Sequence, residues 1–146
     1  MDQGLFIFVN LSEGAITSDL ANFLESLILA QVYLAAMSRE DTPEKNRRPF
    51  YVYVDEAYRF TTWSIQDILQ SLRKYKVFMT LVSQFLSQYD RETAKVDSYL
   101  CDTIVCFSID KDVAKRLEEF YELGLAYKDL IFLPRYRFAV SNPSRQ

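Results

Sequence analysis

Apolar runs alternate with amphipathic stretches along the 146 residues. LFIFVNL (5–11), rich in Phe, Ile and Val, predicts a strand, and SEGAITSD after it supplies Gly14 for a turn and Thr17, Ser18 and Asp19 as cap-type residues. One long helix is predicted from there to about Met37. Its most apolar part, LESLILAQVYLAAM (24–37), reads as a buried helix rather than a membrane span, because Glu25 and Gln31 interrupt it and a span needs roughly 18–20 uninterrupted apolar residues. SREDTPEKNRRP (38–49), with two prolines and mixed charge, predicts a surface loop. FYVYV (50–54) predicts the next strand. In SIQDILQSLRKY (64–75), Ile65, Ile68, Leu69 and Leu72 recur at helical spacing behind Ser64 as a cap. VFMTLVSQ (77–84) is a third strand and TIVCFSI (103–109) a fourth, with a short helix near 93–100 between them. A helix at 112–121, a closing strand YRFAV (136–140) and a polar tail SNPSRQ (141–146) complete the chain. Such alternation predicts one α/β domain, a mostly parallel sheet with helices on its faces.

Composition narrows the chemistry more than the fold. With 49% hydrophobic and 15% aromatic residues the chain can build a sizeable core. Seventeen Lys and Arg against twenty Asp and Glu give a net charge of −3, which does not favour a free-standing nucleic-acid grip. The absence of histidine excludes imidazole catalysis and the common zinc-ligand sets. Cys101 and Cys106 are too few for a disulfide framework and read as buried thiols in a reducing cytosol. Asp2 follows Met1 with no cationic lead or small-residue cleavage site, unlike a secretory signal.

In parallel α/β sheets ligands bind at the carboxyl ends of the strands. Those positions are polar here: Asp55 and Glu56 after 50–54, Ser83 and Gln84 ending 77–84, Ser108 and Asp110 after 103–109. A hydrophobic strand ending in Asp-Glu is the Walker B pattern of nucleoside triphosphatases. Asp55 would hold a magnesium ion through a coordinated water, because magnesium dehydrates reluctantly. Glu56 would orient and polarise the water that attacks the terminal phosphate. Gln84, an amide ending the neighbouring strand, could bond that phosphate or water. The same acids would also suit the first turn of a helix, and Gln84 a solvated loop.

The order VNLS, DLANFLESLILAQVYLAAMSRE, RRPFYVYVDEAYRF, SLRKYKVFMTLVSQFLSQYD, TIVCFSI and LPRYRFAV resembles the C-terminal half of the motor domain of TraG/TraD-type coupling proteins. These belong to the FtsK/HerA superfamily of hexameric, DNA-pumping ATPases of conjugation and type IV secretion. The resemblance runs from about Gln3 to Val140. It implies a RecA-like, P-loop NTPase-type fold, with Asp55 and Glu56 as Walker B acids and Gln84 as the strand-end sensor. Arg73 stands where related pumps carry an arginine that reaches a neighbouring subunit's nucleotide, a role an always-charged fork suits; a solvated helix end would suit it equally. Mg2+ and ATP are the implied cofactors. DNA and the secretion machinery are the implied partners, and the cytoplasm the implied location, with no transmembrane segment in this chain.

Two departures qualify the resemblance. The phosphate-cradling GxxxxGK[ST] loop is absent, since the glycines are Gly4, Gly14 and Gly124. The chain therefore reads as a partial motor domain, not competent alone. Lys76 stands where related sequences commonly have glycine before the sensor strand, which predicts a somewhat different turn. A non-catalytic assembly or recruiting module, using the aromatics of FTTW and FLSQY, remains open. So does a magnesium nuclease built from Asp55, Glu56 and Asp110. The densest basic run, EKNRRP with Lys45, Arg47 and Arg48, reads as a solubilising surface.

Overall fold

The computed structural model describes residues 1–11, 14, 16–57, 71–84, 101–120 and 126–142. The backbone divides into two compact units, Met1–Gln84 and Phe85–Gln146, and each is described by itself.

In the first unit helix α1, Ser18–Met37, starts where the cap-type residues predict. Thr17 is extended and its hydroxyl accepts the N–H of Leu20, so one amide that the helix leaves orphaned is satisfied. Strands β1 (Phe50–Val54) and β2 (Val77–Leu81) pair in parallel, with Phe50 opposite Val77 and Val54 opposite Leu81. Because side chains alternate across a strand, Phe50, Val52 and Val54 of β1 share a face with Val77, Met79 and Leu81 of β2. That face meets α1. Ala36 packs with Leu72, Tyr75 and Val77, and Leu29 with Ala57, flanked by Val54, Met79 and Leu81. Tyr51, Tyr53 and Phe78 on the other face are exposed, and the Tyr51 and Phe78 rings stack at 5.5 Å.

Three features of this unit differ from the sequence expectations. Residues 5–11 are in no strand, and Phe6 and Phe8 are fully exposed; apolar β-formers become a strand only when their backbone pairs with another strand, and among the described residues these pair with none. Helix α1 is not the buried helix predicted: Leu29 and Ala36 are buried but Leu20, Phe23, Leu27 and Leu34 are exposed. By length and composition alone α1 could cross a membrane, although its sheet-facing stripe is packed within the unit. The 38–49 segment is exposed for the most part, yet Arg39 within it is buried and a 3-10 turn forms at Glu44–Asn46. Arg39 donates to the Tyr75 carbonyl at 2.9 Å and to Asp2 Oδ1 at 2.7 Å, which compensates the buried charge, although its Nε stays buried without a hydrogen-bond partner.

Before β2 the chain closes in a 3-10 turn, Arg73–Tyr75, and Lys76 follows with φ 56° and ψ 38°. That is the left-handed conformation glycine adopts without penalty. Here a lysine adopts a conformation that favours glycine. The rest of the predicted 64–75 helix, the 93–100 helix, and the FTTW and FLSQY aromatics lie outside the described residues, apart from helical Ser71 and Leu72.

In the second unit β3 (Ile104–Cys106) pairs antiparallel with β4 (Ala139–Ser141). Helices α2 (Lys111–Phe120) and α3 (Tyr127–Ile131) pack on them through Val113, Ala114, Leu117 and Leu130. Asp129 reaches back to the Ala126 N–H at 3.0 Å, closing the α3 start. Both strands are shorter than predicted. Tyr136 has φ 64° and Arg137 N–H donates to the Pro134 carbonyl at 3.0 Å, so 134–137 is a turn and the closing strand begins only at Ala139. Ser141, expected in the flexible tail, belongs to β4, and 143–146 lie outside the described residues. Cys101 and Cys106 form no disulfide and are half-buried, and burial pushes the Cys106 thiol above its ordinary range.

Candidate active site

Asp55, Glu56 and Gln84 follow the carboxyl ends of adjacent parallel strands, so the sheet brings the predicted acids and amide to one edge. The pairing continues beyond β1 and β2 with one irregularity. Val82 N–H donates to the Val54 carbonyl, and the Val82 carbonyl accepts from Ala57 N–H, both at 2.9 Å. A regular parallel ladder would take the second bond from residue 56. One residue is therefore extra, and Glu56 is that residue, with φ 54°. A bulge of this kind re-aims a side chain at a sheet rim. Buried Ala57, packed on Leu29, pins the chain just past it.

The amide displaced from the ladder is not lost. Glu56 N–H donates to Asp55 Oδ1 at 2.9 Å, which fixes the plane of the Asp55 carboxylate. The re-aimed Glu56 side chain then accepts a hydrogen bond at Oε1 from Gln84 Nε2 at 3.0 Å. Three residues singled out by position are thus linked in one chain, from Asp55 through Glu56 to Gln84. Asp55 and Gln84 are exposed and Glu56 half-buried, so the group faces an accessible edge.

Ser83 joins them. Strand alternation places it on the face of Val77, Met79 and Leu81, and its Oγ is buried without a hydrogen-bond partner. Leaving a buried hydroxyl unmet costs about 1–3 kcal/mol. The sequence showed Ser83 only as a polar strand end, because burial without a partner has no signature in a sequence. Asp55 is a hard oxygen donor of the type magnesium prefers, so the residues fit a hydrated magnesium ion bound through one carboxylate and substrate phosphates. Among the described residues there is no cluster of three or more His, Cys, Asp or Glu able to cage a metal by itself.

The other sequence candidates have local settings of their own. Arg73 is exposed in the turn that enters β2, at the opposite end of that strand from Gln84. The five residues of β2 separate the two positions by about 16 Å of strand rise, so Arg73 does not join the acids of its own chain. Asp110, in the second unit, accepts the N–H groups of Asp112 and Val113 at 2.9 and 3.0 Å, an ordinary helix cap at the α2 start. Ser108 Oγ donates to the Ile131 carbonyl at 3.0 Å. Those bonds account for both polar residues structurally, and nothing in them favours the nuclease arrangement.

No known family profile and no curated protein matches the chain. Solved structures do. The chain is similar to the genome packaging NTPase B204 of Sulfolobus turreted icosahedral virus 2. With the AMPPCP complex it shares 13% identity at a TM-score of 0.59, covering 82% of this chain and 57% of that one. With the AMP complex it shares 13% identity at 0.62, covering 95% and 69%. With the ATP-gammaS complex the values are 14% and 0.62, covering 97% and 70%. The chain thus spans between 57% and 70% of the length of those chains. At such identity the likeness bears on fold alone, and it shows that this chain folds as an NTPase does, with parallel strands and flanking helices.

Proposed function

We propose that this chain is the Walker B and sensor half of a RecA-like, DNA-translocating ATPase of the FtsK/HerA type, of a conjugation, type IV secretion or mobile-element system. The observation that carries the reading is the hydrogen bond from Gln84 Nε2 to Glu56 Oε1 at 3.0 Å, beside Asp55 on the rim of a parallel sheet. The similarity to an NTPase solved with ATP analogues and AMP supports nucleotide as the ligand class. That protein's role in genome packaging supports DNA as the polymer moved.

The phosphate cradle is missing from these residues, so hydrolysis requires a Walker A segment supplied from outside them. A magnesium ion would neutralise phosphate charge there, with Asp55 holding it through a water. Glu56 accepts the proton of the attacking water. Gln84 keeps the Glu56 carboxylate turned toward that water through one N–H, its second N–H remains to donate to the phosphate, and its carbonyl can accept from the water. Arg73, remote from its own acids, serves the site of a neighbouring subunit in a ring, taken to be a hexamer working in the cytoplasm beside the secretion apparatus.

Calorimetric titration with Mg-ATP tests this on the 146-residue chain and on a longer polypeptide that adds a phosphate-cradling segment upstream. Binding and hydrolysis are expected only in the longer one, with hydrolysis lost on Glu56→Gln and binding retained. Tight binding by the short chain, or hydrolysis that survives Glu56→Gln, would refute the assignment of these residues.

A further inference from the structure

Helix α1 carries two apolar stripes, and its packing on the sheet uses one of them. Ala21, Leu29 and Ala36 are its buried residues, and Leu29 and Ala36 belong to the clusters that hold it on the strands. The second stripe faces solvent. Leu20, Phe23, Leu27, Ala30 and Leu34 are all exposed, Phe23 by 64% and Leu34 by 58%. Leu27 and Leu29 stand two residues apart, about 200° around the helix, so the stripes are on opposite sides. Successive members of the outer stripe are three, four, three and four residues apart, with leucine at every seventh position. That repeat of about 3.5 residues is the pattern of a helix that pairs with another along one seam, leucines at one core position and Phe23 and Ala30 at the other. Single exposed leucines need no explanation, but a continuous apolar stripe marks a contact surface.

The chemistry of the stripe favours a second copy of itself. No charge lies on it: α1 has no Lys or Arg, Asp19 is in the first turn, and Glu25 is half-buried at helical spacing between Ala21 and Leu29. Two copies therefore meet without like charges. An anionic lipid surface, by contrast, finds none of the cations that membrane-surface helices carry, and a span is opposed by the packing of the other stripe on the sheet. The side-chain sizes are self-complementary as well. An antiparallel pairing about a two-fold axis at Leu27 sets Leu27 against itself, Leu20 against Leu34, and Phe23 against Ala30. Large then meets small, as close packing requires. A parallel pairing in register would crowd Phe23 against Phe23 and leave a gap between the two Ala30 side chains. Antiparallel packing also brings opposite ends of the two helix dipoles together.

We propose that the chain pairs with a second copy through the outer stripe of α1, antiparallel about Leu27. The 20 residues of α1 give a seam about 30 Å long. With roughly half of each of its large side chains available, the stripe offers on the order of 300 Å² per copy. A standard interface takes about 800 Å² per partner. The dimer is accordingly weak and concentration-dependent, with a dissociation constant on the order of 10–100 μM. The same patch serves both copies, so the contact closes at two and is distinct from the head-to-tail contact that a ring requires.

Sedimentation velocity of the whole chain from about 1 to about 500 μM reads the pairing, and the mass should rise from one chain to two across that range. Leu27→Glu sets two like charges on the axis and should weaken the dimer at least about 30-fold. Mixing Leu27→Glu with Leu27→Lys should restore it, which also shows that both variants are folded. Leu20→Glu combined with Leu34→Lys should keep the dimer within about tenfold of the native chain. Leu20→Glu combined with Leu34→Glu should lose it, because the antiparallel seam brings position 20 of one copy to position 34 of the other. A chain that stays monomeric to about 500 μM would overturn the proposal. So would a dimer that Leu27→Glu leaves intact, equal loss in the two double variants, or a monomer that binds phosphatidylglycerol vesicles and releases them on Leu27→Glu. No nucleotide enters the measurement, so failure here leaves the hydrolysis reading intact, and failure of nucleotide binding leaves this one intact.

Discussion

Lys76 offers a clean measurement of how much strain this unit carries. Its φ of 56° and ψ of 38° lie in the left-handed region, where an L side chain costs about 1–2 kcal/mol. Replacing it with glycine removes that cost but adds unfolded-state entropy of about 0.5–1 kcal/mol. The backbone bonds of the turn, Lys76 N–H to the Arg73 carbonyl at 3.0 Å and Phe50 N–H to the Lys76 carbonyl at 2.9 Å, need no side chain. Lys76→Gly should therefore stabilise the protein by about 0–1.5 kcal/mol, with a midpoint of about 0.75 kcal/mol that corresponds to a rise in Tm of about 1–4 °C for a chain of this size. Urea denaturation followed by circular dichroism should show the midpoint rising with the slope unchanged. Lys76→Ala is the control, since alanine meets the same steric penalty and should give no gain. A destabilised glycine variant, or an alanine variant stabilised as much, would refute the left-handed turn as the source of strain.

Glu56 has the same backbone geometry at φ 54°, but its side chain is engaged, so Glu56→Gly should balance relieved strain against a hydrogen bond worth about 0.5–1.5 kcal/mol; denaturation should show a net change within about 0.5 kcal/mol while the hydrolysis proposed for the longer polypeptide disappears. Leu72, 1% exposed between α1 and the turn into β2, should cost about 2–5 kcal/mol when cut to alanine, read by the same denaturation curve. Glu40 accepts hydrogen bonds from the Tyr75 hydroxyl and from Lys74, and these hold its carboxyl below the ordinary value of 4.5. A depressed carboxylate contributes stability above its unfolded pKa and loses it as pH falls through the folded one. The native chain should thus lose more stability than Glu40→Gln as pH drops from about 5 toward 3, and parallel pH profiles would discount the contact.

The elements that local chemistry determines were legible in the sequence. Thr17 begins α1 because a hydroxyl before an apolar-periodic run is a cap, and FYVYV and VFMTL pair because both runs are β-formers bounded by polar residues. The grouping of Asp55, Glu56 and Gln84 followed from the strand-end rule once those strands were placed. What depends on distant partners was not legible. LFIFVNL has every local property of a strand but pairs with no strand among the described residues. Arg39 looks like any loop arginine until the Tyr75 carbonyl and Asp2 are seen to meet it. Tyr136 sits in a β-rich run, and only its positive φ shows that the chain turns there. The Glu56 bulge is hidden for the same reason, since one extra residue in a ladder exists only relative to the strand beside it.

That bulge also explains why the two acids differ in environment despite adjacency in sequence. A regular strand would send Asp55 and Glu56 to opposite faces of the sheet. Left-handed backbone at Glu56 breaks the alternation, so its amide turns back to Asp55 while its carboxylate crosses to Gln84. Asp55 keeps its plane fixed by a backbone donor, suited to holding a charge in place, and Glu56 is held only by a side-chain amide that can exchange one acceptor for another. The strain of a non-glycine residue at positive φ, about 1–3 kcal/mol, is therefore located at the residue whose orientation the proposed chemistry depends on. Lys76 bears comparable backbone strain just before β2, so these two left-handed residues flank β1 and β2, one at each end. Relieving strain at Lys76 should leave the rim untouched, whereas relieving it at Glu56 removes the group itself; the contrast between the two glycine variants separates strain that shapes a turn from strain that aims a carboxylate.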